Sequence, residues 1–285
     1  MRIDLIKYQA LGNDYLVLDL PAPLAELVPL LPVLCHPHYG LGSDGLLAFD
    51  PLSLSLRIFN PDASEAQRSG NGLRIAAAHA VLEHGAPQRF TLATPAGPNP
   101  VVVLGRQGAA VTAEVEIGRP SFRAADLPAR VEGEPHRVTL ETPAGTVQAT
   151  LVSVGNPHAV VFGETVDARR AVQLGPHVER HALFPERTNV QLVEVIDRGR
   201  ARIEIWERGA GYTLASGTSA AAVAAALMRE GLVDDEVVIE MPGGSLSLRK
   251  GADGSLVQRG PAQRVYRARV DLDDLAGVAV PARGS

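Results

Sequence analysis

A chain of 285 residues is long for one hydrophobic core and comfortable for two domains of about 140 residues each. Apolar residues make up 46% and charged residues 21%, the balance of a soluble globular protein rather than of a disordered or membrane-embedded one. The net charge of −5, with 32 acidic against 27 basic side chains, leaves no electrostatic footprint for a nucleic-acid partner. Cys35 is the only cysteine, so an internal disulfide is impossible and a thiolate zinc site has no basis.

In chain order, MRIDLIKYQALGNDYLVLDL carries Asp4 and Lys7 where an export signal needs an apolar core, and it does not read as a signal peptide. The run LAELVPLLPVLC at 24–35 is too short and too interrupted to span a bilayer, so a cytoplasmic protein without a membrane partner is expected. Cys35, at the end of this run, is expected as a buried or half-buried small residue. The string GLGSDG at 40–45 matches G-x-G-x-x-G letter by letter, but a helical stretch precedes it and a strand-like one follows, the reverse of a dinucleotide fingerprint. His36 with His38 and His177 with His181 lack a supporting carboxylate or cysteine pattern and read as surface or supporting residues. Neither a metal nor a cofactor is expected.

An internal repeat organises the chain. SGNGLRIAAAHAVLEHG at 69–85 and SGTSAAAVAAALMREG at 216–231 each open on Ser-Gly, run through an alanine-rich helical stretch and stop at glycine. The same offset of 147 carries Pro95-Ala96-Gly97 onto Pro242-Gly243-Gly244, and QALGNDYLVLD around Gly12-Asn13 resembles VSVGNPHAVVF around Gly155-Asn156. Short alternating runs (LSLRIF, ARIEIW, SLSLR, PVVVL) predict antiparallel strands between Pro and Gly turns. The expected fold class is α+β: two pseudo-symmetric domains, each a curved, mainly antiparallel sheet wrapped around a central helix buried on all sides. The second half begins near 115–120, at VTAEVEIGRPSF.

Serine is a favoured N-cap, and the first turn of a helix leaves backbone N–H groups without intrahelical partners. Such a start attracts a carboxylate or phosphate. A duplicated pair, at Ser69 and Ser216, is expected to face one small zwitterion across a domain interface.

These segments resemble the diaminopimelate epimerase family, within the cofactor-independent amino-acid racemase and epimerase superfamily. The matching stretches are ALGNDYLVLD (10–19), GLGSDGLL (40–47), RIFNPDASEAQRSGNG (57–72), VGNPHAVVF (154–162), LGPHVERHALFPERTNVQL (174–192), WERGAGYTLASGTSA (206–220) and MPGGSLSL (241–248). The resemblance implies domains at 1–116 plus 264–285 and at 117–263, a small amino-acid substrate inverted at its α-carbon, no pyridoxal phosphate, and a homodimer as in many members. It implies substrate contacts from Asn13, Asn60, Gly70, Asn71, Asn156, Asn189, Arg208, Gly217 and Thr218, with Glu207 facing an ammonium. The residue chemistry agrees, since Arg208 offers a bidentate fork for a carboxylate and the asparagines can both donate and accept.

The family's chemistry uses two cysteines, one at each helix start. This chain has Ser69 and Ser216 there. A thiol ionises near pH ~8.5 and lower at a helix N-terminus, whereas an alcohol is a far weaker acid that needs a neighbouring base. His158 and Glu207 are the candidates to take over proton transfer, with Glu65 and Asp62 behind them. Gly45, Ala63, Tyr212 and Ser219 also depart from the usual family residues. The alternatives to an isomerase are a lyase or dehydratase working through His158 or Glu207, and a catalytically inert amino-acid-binding protein.

Overall fold

The computed structural model describes residues 1–131 and 135–278. Its contacts divide the chain into two units, Met1–Val115 with the segment from Pro261 onward, and Glu116–Gly260.

In the first unit, β1 (Arg2–Ala10) and β2 (Asn13–Asp19) form an antiparallel pair, and β2 runs parallel to β3 (Leu46–Asp50). β3 is antiparallel to β4 (Ser55–Phe59), which pairs with the short β5 (Glu65–Ala66). After the helix α1 (Gly70–His84), β6 (Arg89–Thr94) joins β4 in parallel and then continues antiparallel through β7 (Gly97–Gln107) to β8 (Ala110–Gly118). Residues 263–271 pair with β1.

The second unit repeats this order. β9 (Val138–Thr142) flanks β10 (Gly145–Ser153), which is antiparallel to β11 (Pro157–Phe162). Across the helix α2 (Ala168–Glu179), β11 runs parallel to β12 (Asn189–Asp197), and β12 is antiparallel to β13 (Arg200–Glu207). β13 pairs with the short β14 (Gly211–Thr213). Following α3 (Gly217–Arg229), β15 (Glu236–Met241) joins β13 in parallel and leads antiparallel to β16 (Gly244–Lys250) and residues 256–259. Each of these pairings in one unit, with its direction, has its counterpart in the other, so the fold is duplicated α+β.

Sheet burial follows this layering. β2, β3, β11 and the first half of β12 are buried over consecutive residues rather than alternately, as strands of the parallel pairs β2–β3 and β11–β12 covered on both faces. In the first unit, the short helical turns Leu24–Leu27 and Leu31–Leu34 place Leu27, Leu31, Leu34 and Cys35 over Leu5, Leu16 and Leu46. Cys35 is buried as expected, and burial pushes its thiol up to about 12, leaving it inert. In the second unit, α2 lays Ala171, Leu174 and Val178 over Ala159, Val161 and Leu192. Gly175 is required there, because a Cβ would collide with the Trp206 side chain.

The central helices are the sequence's clearest statement. α1 is buried from Gly70 to Ala80 and packs against β1, β2, β3, β6 and β7. α3 is buried through almost all of its length against β10, β11, β12, β15 and β16. Alanine gives high helix propensity with little bulk, so strands can approach from several sides. Gly85, in the left-handed conformation at φ 64°, closes α1. Among the described residues, no helix is long and apolar enough to cross a membrane.

Candidate active site

The two helix starts share one local geometry. Ser69 caps α1 with φ −141° and ψ 122°, and its Oγ accepts the Gly72 N–H at 3.0 Å. Ser216 caps α3 with φ −146° and ψ 125°, and its Oγ accepts the Ser219 N–H at 3.4 Å. The N–H groups of Gly70 and Asn71, and of Gly217 and Thr218, precede the first intrahelical acceptors. Each start therefore carries donors and partial positive charge suited to an anion. Among the described residues, the remaining partner of Ser69 Oγ is the Tyr15 hydroxyl at 3.4 Å, that of Ser216 Oγ is the Thr218 hydroxyl at 3.4 Å, and neither set contains an imidazole or a carboxylate.

Around Ser69, the asparagines form a chain. Asn71 is buried and donates from Nδ2 to Asn13 Oδ1 at 3.0 Å, while its own Oδ1 accepts from Arg74 Nη2 at 2.6 Å. Arg74 is wholly buried, also donating to the Gly70 carbonyl at 3.3 Å. Burial pushes its guanidinium down to about 9, still charged at neutral pH. Asn13 donates to Asp44 Oδ2 at 2.7 Å, and the same oxygen accepts the Asp14 N–H at 2.9 Å. Burial pushes the Asp44 carboxyl up from its ordinary value. The GLGSDG loop thus supplies the anchor of Asn13. Asn60 lies apart from this chain, donating to Ser64 Oγ at 2.9 Å in a tight turn where Ala63 takes φ 69°.

A Cβ at Gly45 would run into the Phe59 carbonyl and lie 2.8 Å from Tyr15 Cε1. The Tyr15 ring that reaches Ser69 therefore fills the space a side chain at position 45 would use.

Around Ser216, the polar network is deeper. His158 is 1% exposed, with Nε2 2.9 Å from Asn156 Oδ1 and Nδ1 3.0 Å from Gln191 Nε2. Because Gln191 Nε2 can only donate, Nδ1 accepts and Nε2 carries the proton given to Asn156. Burial, aided by the positive charge of Arg208, pushes the imidazole down to about 3. His158, expected to move protons, is enclosed here with a partner at each ring nitrogen.

Asn189 is also buried, donating to the Pro157 carbonyl at 2.9 Å and accepting the Arg208 N–H at 3.0 Å. The Arg208 side chain is exposed and holds the Glu186 carbonyl at 3.3 Å. Glu207 closes β13 half-buried, opposite Gly211. The two lesser carboxylate candidates are committed elsewhere: Glu65 grips Arg57 through two bonds of 2.9 and 2.8 Å, and Asp62 accepts from Ser64 at 2.6 Å. Tyr212 donates its hydroxyl to Glu204 at 2.8 Å.

Three supporting residues escape motif reading. Gln191 donates to both His158 and Ser219 and leaves Oε1 without a partner among the described residues. Glu179, 2% exposed, accepts from Trp206 Nε1 at 2.8 Å and from the Gly209 N–H at 3.0 Å, bracing the turn that carries Glu207 and Arg208. Asp44 is the third. A polar Gln inside the buried run NVQLV is the one signal that could have drawn attention to Gln191.

The family model for diaminopimelate epimerase matches residues 5–123 and 150–265. The sequence is 41% identical over 255 residues to diaminopimelate epimerase 2 of Nostoc sp., covering 85% of this chain and 87% of that protein. It is 36% identical over 286 residues to the diaminopimelate epimerase of Azotobacter vinelandii, covering 95% of this chain and all of the relative (100%). Among solved structures, a probable proline racemase from Agrobacterium radiobacter K84 superposes with a TM-score of 0.69 at 18% identity, covering 98% of this chain and 96% of that one. At that identity the likeness is one of fold.

Proposed function

The chain belongs to the diaminopimelate epimerase family, and from that premise we propose that it is a cofactor-independent isomerase that inverts the α-carbon of diaminopimelate or a related amino acid. The observation that carries this reading is the matched pair of serine-capped helix starts, alike in dihedral angles and in the N–H each hydroxyl accepts. Removing an α-proton builds negative charge on the substrate carboxylate. Preorganised N–H donors at a helix start are the device that stabilises such charge without a cofactor.

In this reading the Gly70–Asn71 and Gly217–Thr218 amides hold substrate oxygens, Arg208 adds a guanidinium fork, and Glu207 takes the ammonium. Asn13, Asn60, Asn71, Asn156 and Asn189 complete the polar contacts. His158 is a positioning residue for Asn156. Ser69 and Ser216 occupy the proton-transfer positions. As alcohols they are far weaker acids than thiols and work slowly, each tenfold loss of rate corresponding to about 1.4 kcal/mol of barrier. A homodimer and a cytoplasmic location belong to this proposal as family expectations.

Because both hydroxyls, among the described residues, meet only other hydroxyls and backbone N–H groups, the second reading is an amino-acid-binding protein that does not turn over. A lyase or dehydratase working through His158 or Glu207 is the remaining alternative. Incubating the protein with LL-diaminopimelate and a panel of amino acids in deuterated buffer separates these readings. α-Deuterium incorporation with inversion supports the isomerase, saturable binding without exchange supports the binder, and loss of water or ammonia overturns both.

A further inference from the structure

At the far end of α1 from Ser69, three side chains converge that the reaction does not use. Asp19, the last residue of β2, lies with Oδ1 2.7 Å from His79 Nε2. His84 Nε2 stands 3.1 Å from Asp19 Oδ2 and 3.2 Å from Oδ1. One ligand atom from each residue falls within 4.8 Å of the other two. We propose that Asp19, His79 and His84 bind one first-row divalent cation of the zinc class.

The surrounding contacts orient these groups as a metal site requires. Tyr8 donates its hydroxyl to Glu83 Oε1 at 3.4 Å and so accepts the Nδ1 proton of His79 at 3.2 Å. The ring faces the Asp19 carboxylate with Nε2, and at 2.7 Å the two share a hydrogen bond whose proton a bound cation would displace. A ligating imidazole whose second nitrogen donates to an outer group is the usual way proteins fix such a ligand. Phe49 packs edge-on to His79 at 5.3 Å and against His84 at 5.8 Å, holding both rings.

Access and charge also fit. The His79 side chain is 1% exposed, but Asp19 is 40% and His84 27% exposed, so an ion can enter from one side. That side opens on a hollow of about 950 Å³ lined in part by Asp19, Glu83, His84 and Arg267. His84 is in the last turn of α1, where the helix's partial negative charge favours a cation. Two imidazoles and one carboxylate suit zinc, cobalt or nickel better than calcium or magnesium, and leave coordination positions for water. Motif reading passes over this set because Asp19 is 60 residues from His79 and the histidines are five apart rather than four.

The test uses the whole chain, stripped with a chelator and titrated with ZnCl2 by calorimetry and with CoCl2 by absorption. One ion per chain is expected, with the ligand-field bands of a four- or five-coordinate cobalt site and a melting temperature raised by roughly 5 °C or more at a hundredfold excess over Kd. His84→Ala and D19N, both at accessible positions, should weaken binding by about a hundredfold or more, and Tyr8→Phe by about tenfold. His36→Ala should change nothing. The proposal is overturned if no binding occurs at millimolar metal, or if affinity survives His84→Ala and D19N unchanged.

Discussion

Gln191 holds His158 in one tautomer: its side-chain N–H meets Nδ1 at 3.0 Å, and the opposite nitrogen gives its proton to Asn156. The two residues sit on adjacent parallel strands, with His158 opposite Asn189 and Gln191 opposite Val160, and both point into the packing beneath α3. An asparagine of the candidate site is thereby fixed by a buried network rather than by its own loop.

Replacing that donor leaves His158 Nδ1 and Ser219 Oγ without their amide. Gln191→Leu should destabilise the protein by about 1–3 kcal/mol, the usual cost of stranding buried polar atoms. Urea unfolding measures it. A change below about 0.5 kcal/mol would mean the network contributes nothing.

The enclosure of His158 also sets a pH dependence. Its folded-state value lies near 3, well below the ~6.5 of an unfolded histidine, so between these limits the unfolded chain binds the extra proton. The neutral ring's contribution is complete above about pH 6.5 and is lost as pH falls toward 3, at up to about 1.4 kcal/mol per unit. The ring resonances of His158 should stay those of a neutral imidazole from pH 8 to 5, and His158→Gln should flatten the acid limb of stability. A midpoint near 6 would contradict the enclosure.

As helix caps, both serines should matter to stability whatever their chemistry. Ser69→Ala and Ser216→Ala should each cost about 1 kcal/mol, read from thermal or urea unfolding. The shorter bond at Ser69, 3.0 against 3.4 Å, places the larger loss there.

Position 45 cannot accept a glutamine side chain on this backbone. Gly45→Gln should lower stability by about 2 kcal/mol or more, through the clash with Phe59 and Tyr15. Pairing it with Tyr15→Ala should recover part of that loss, whereas an unchanged melting temperature in the single variant would show the space is open.

Much of the fold is legible in the residues because it is written twice. Two Ser-Gly openings, two alanine runs and two glycine-bounded strand pairs mark the duplicated α+β units, and the caps at Ser69 and Ser216 follow from local chemistry alone. Supporting groups are less legible. Asp44, Glu179 and Gln191 act on atoms between 27 and 33 positions away, through folded contacts that no spacing rule anticipates. His158 shows the converse: its type and place suggest a base, while its burial, which lowers its affinity for a proton, is a property of the packed sheet that the residue type does not carry.

The most direct measurement compares α-proton exchange in deuterated buffer for the wild-type chain and for the Ser69→Cys, Ser216→Cys double variant, with LL-diaminopimelate as substrate. Thiols at two intact helix starts should raise exchange with inversion by about a hundredfold or more over the serines. No exchange in the double variant, in protein shown to be folded, would contradict the assignment of these two positions to proton transfer.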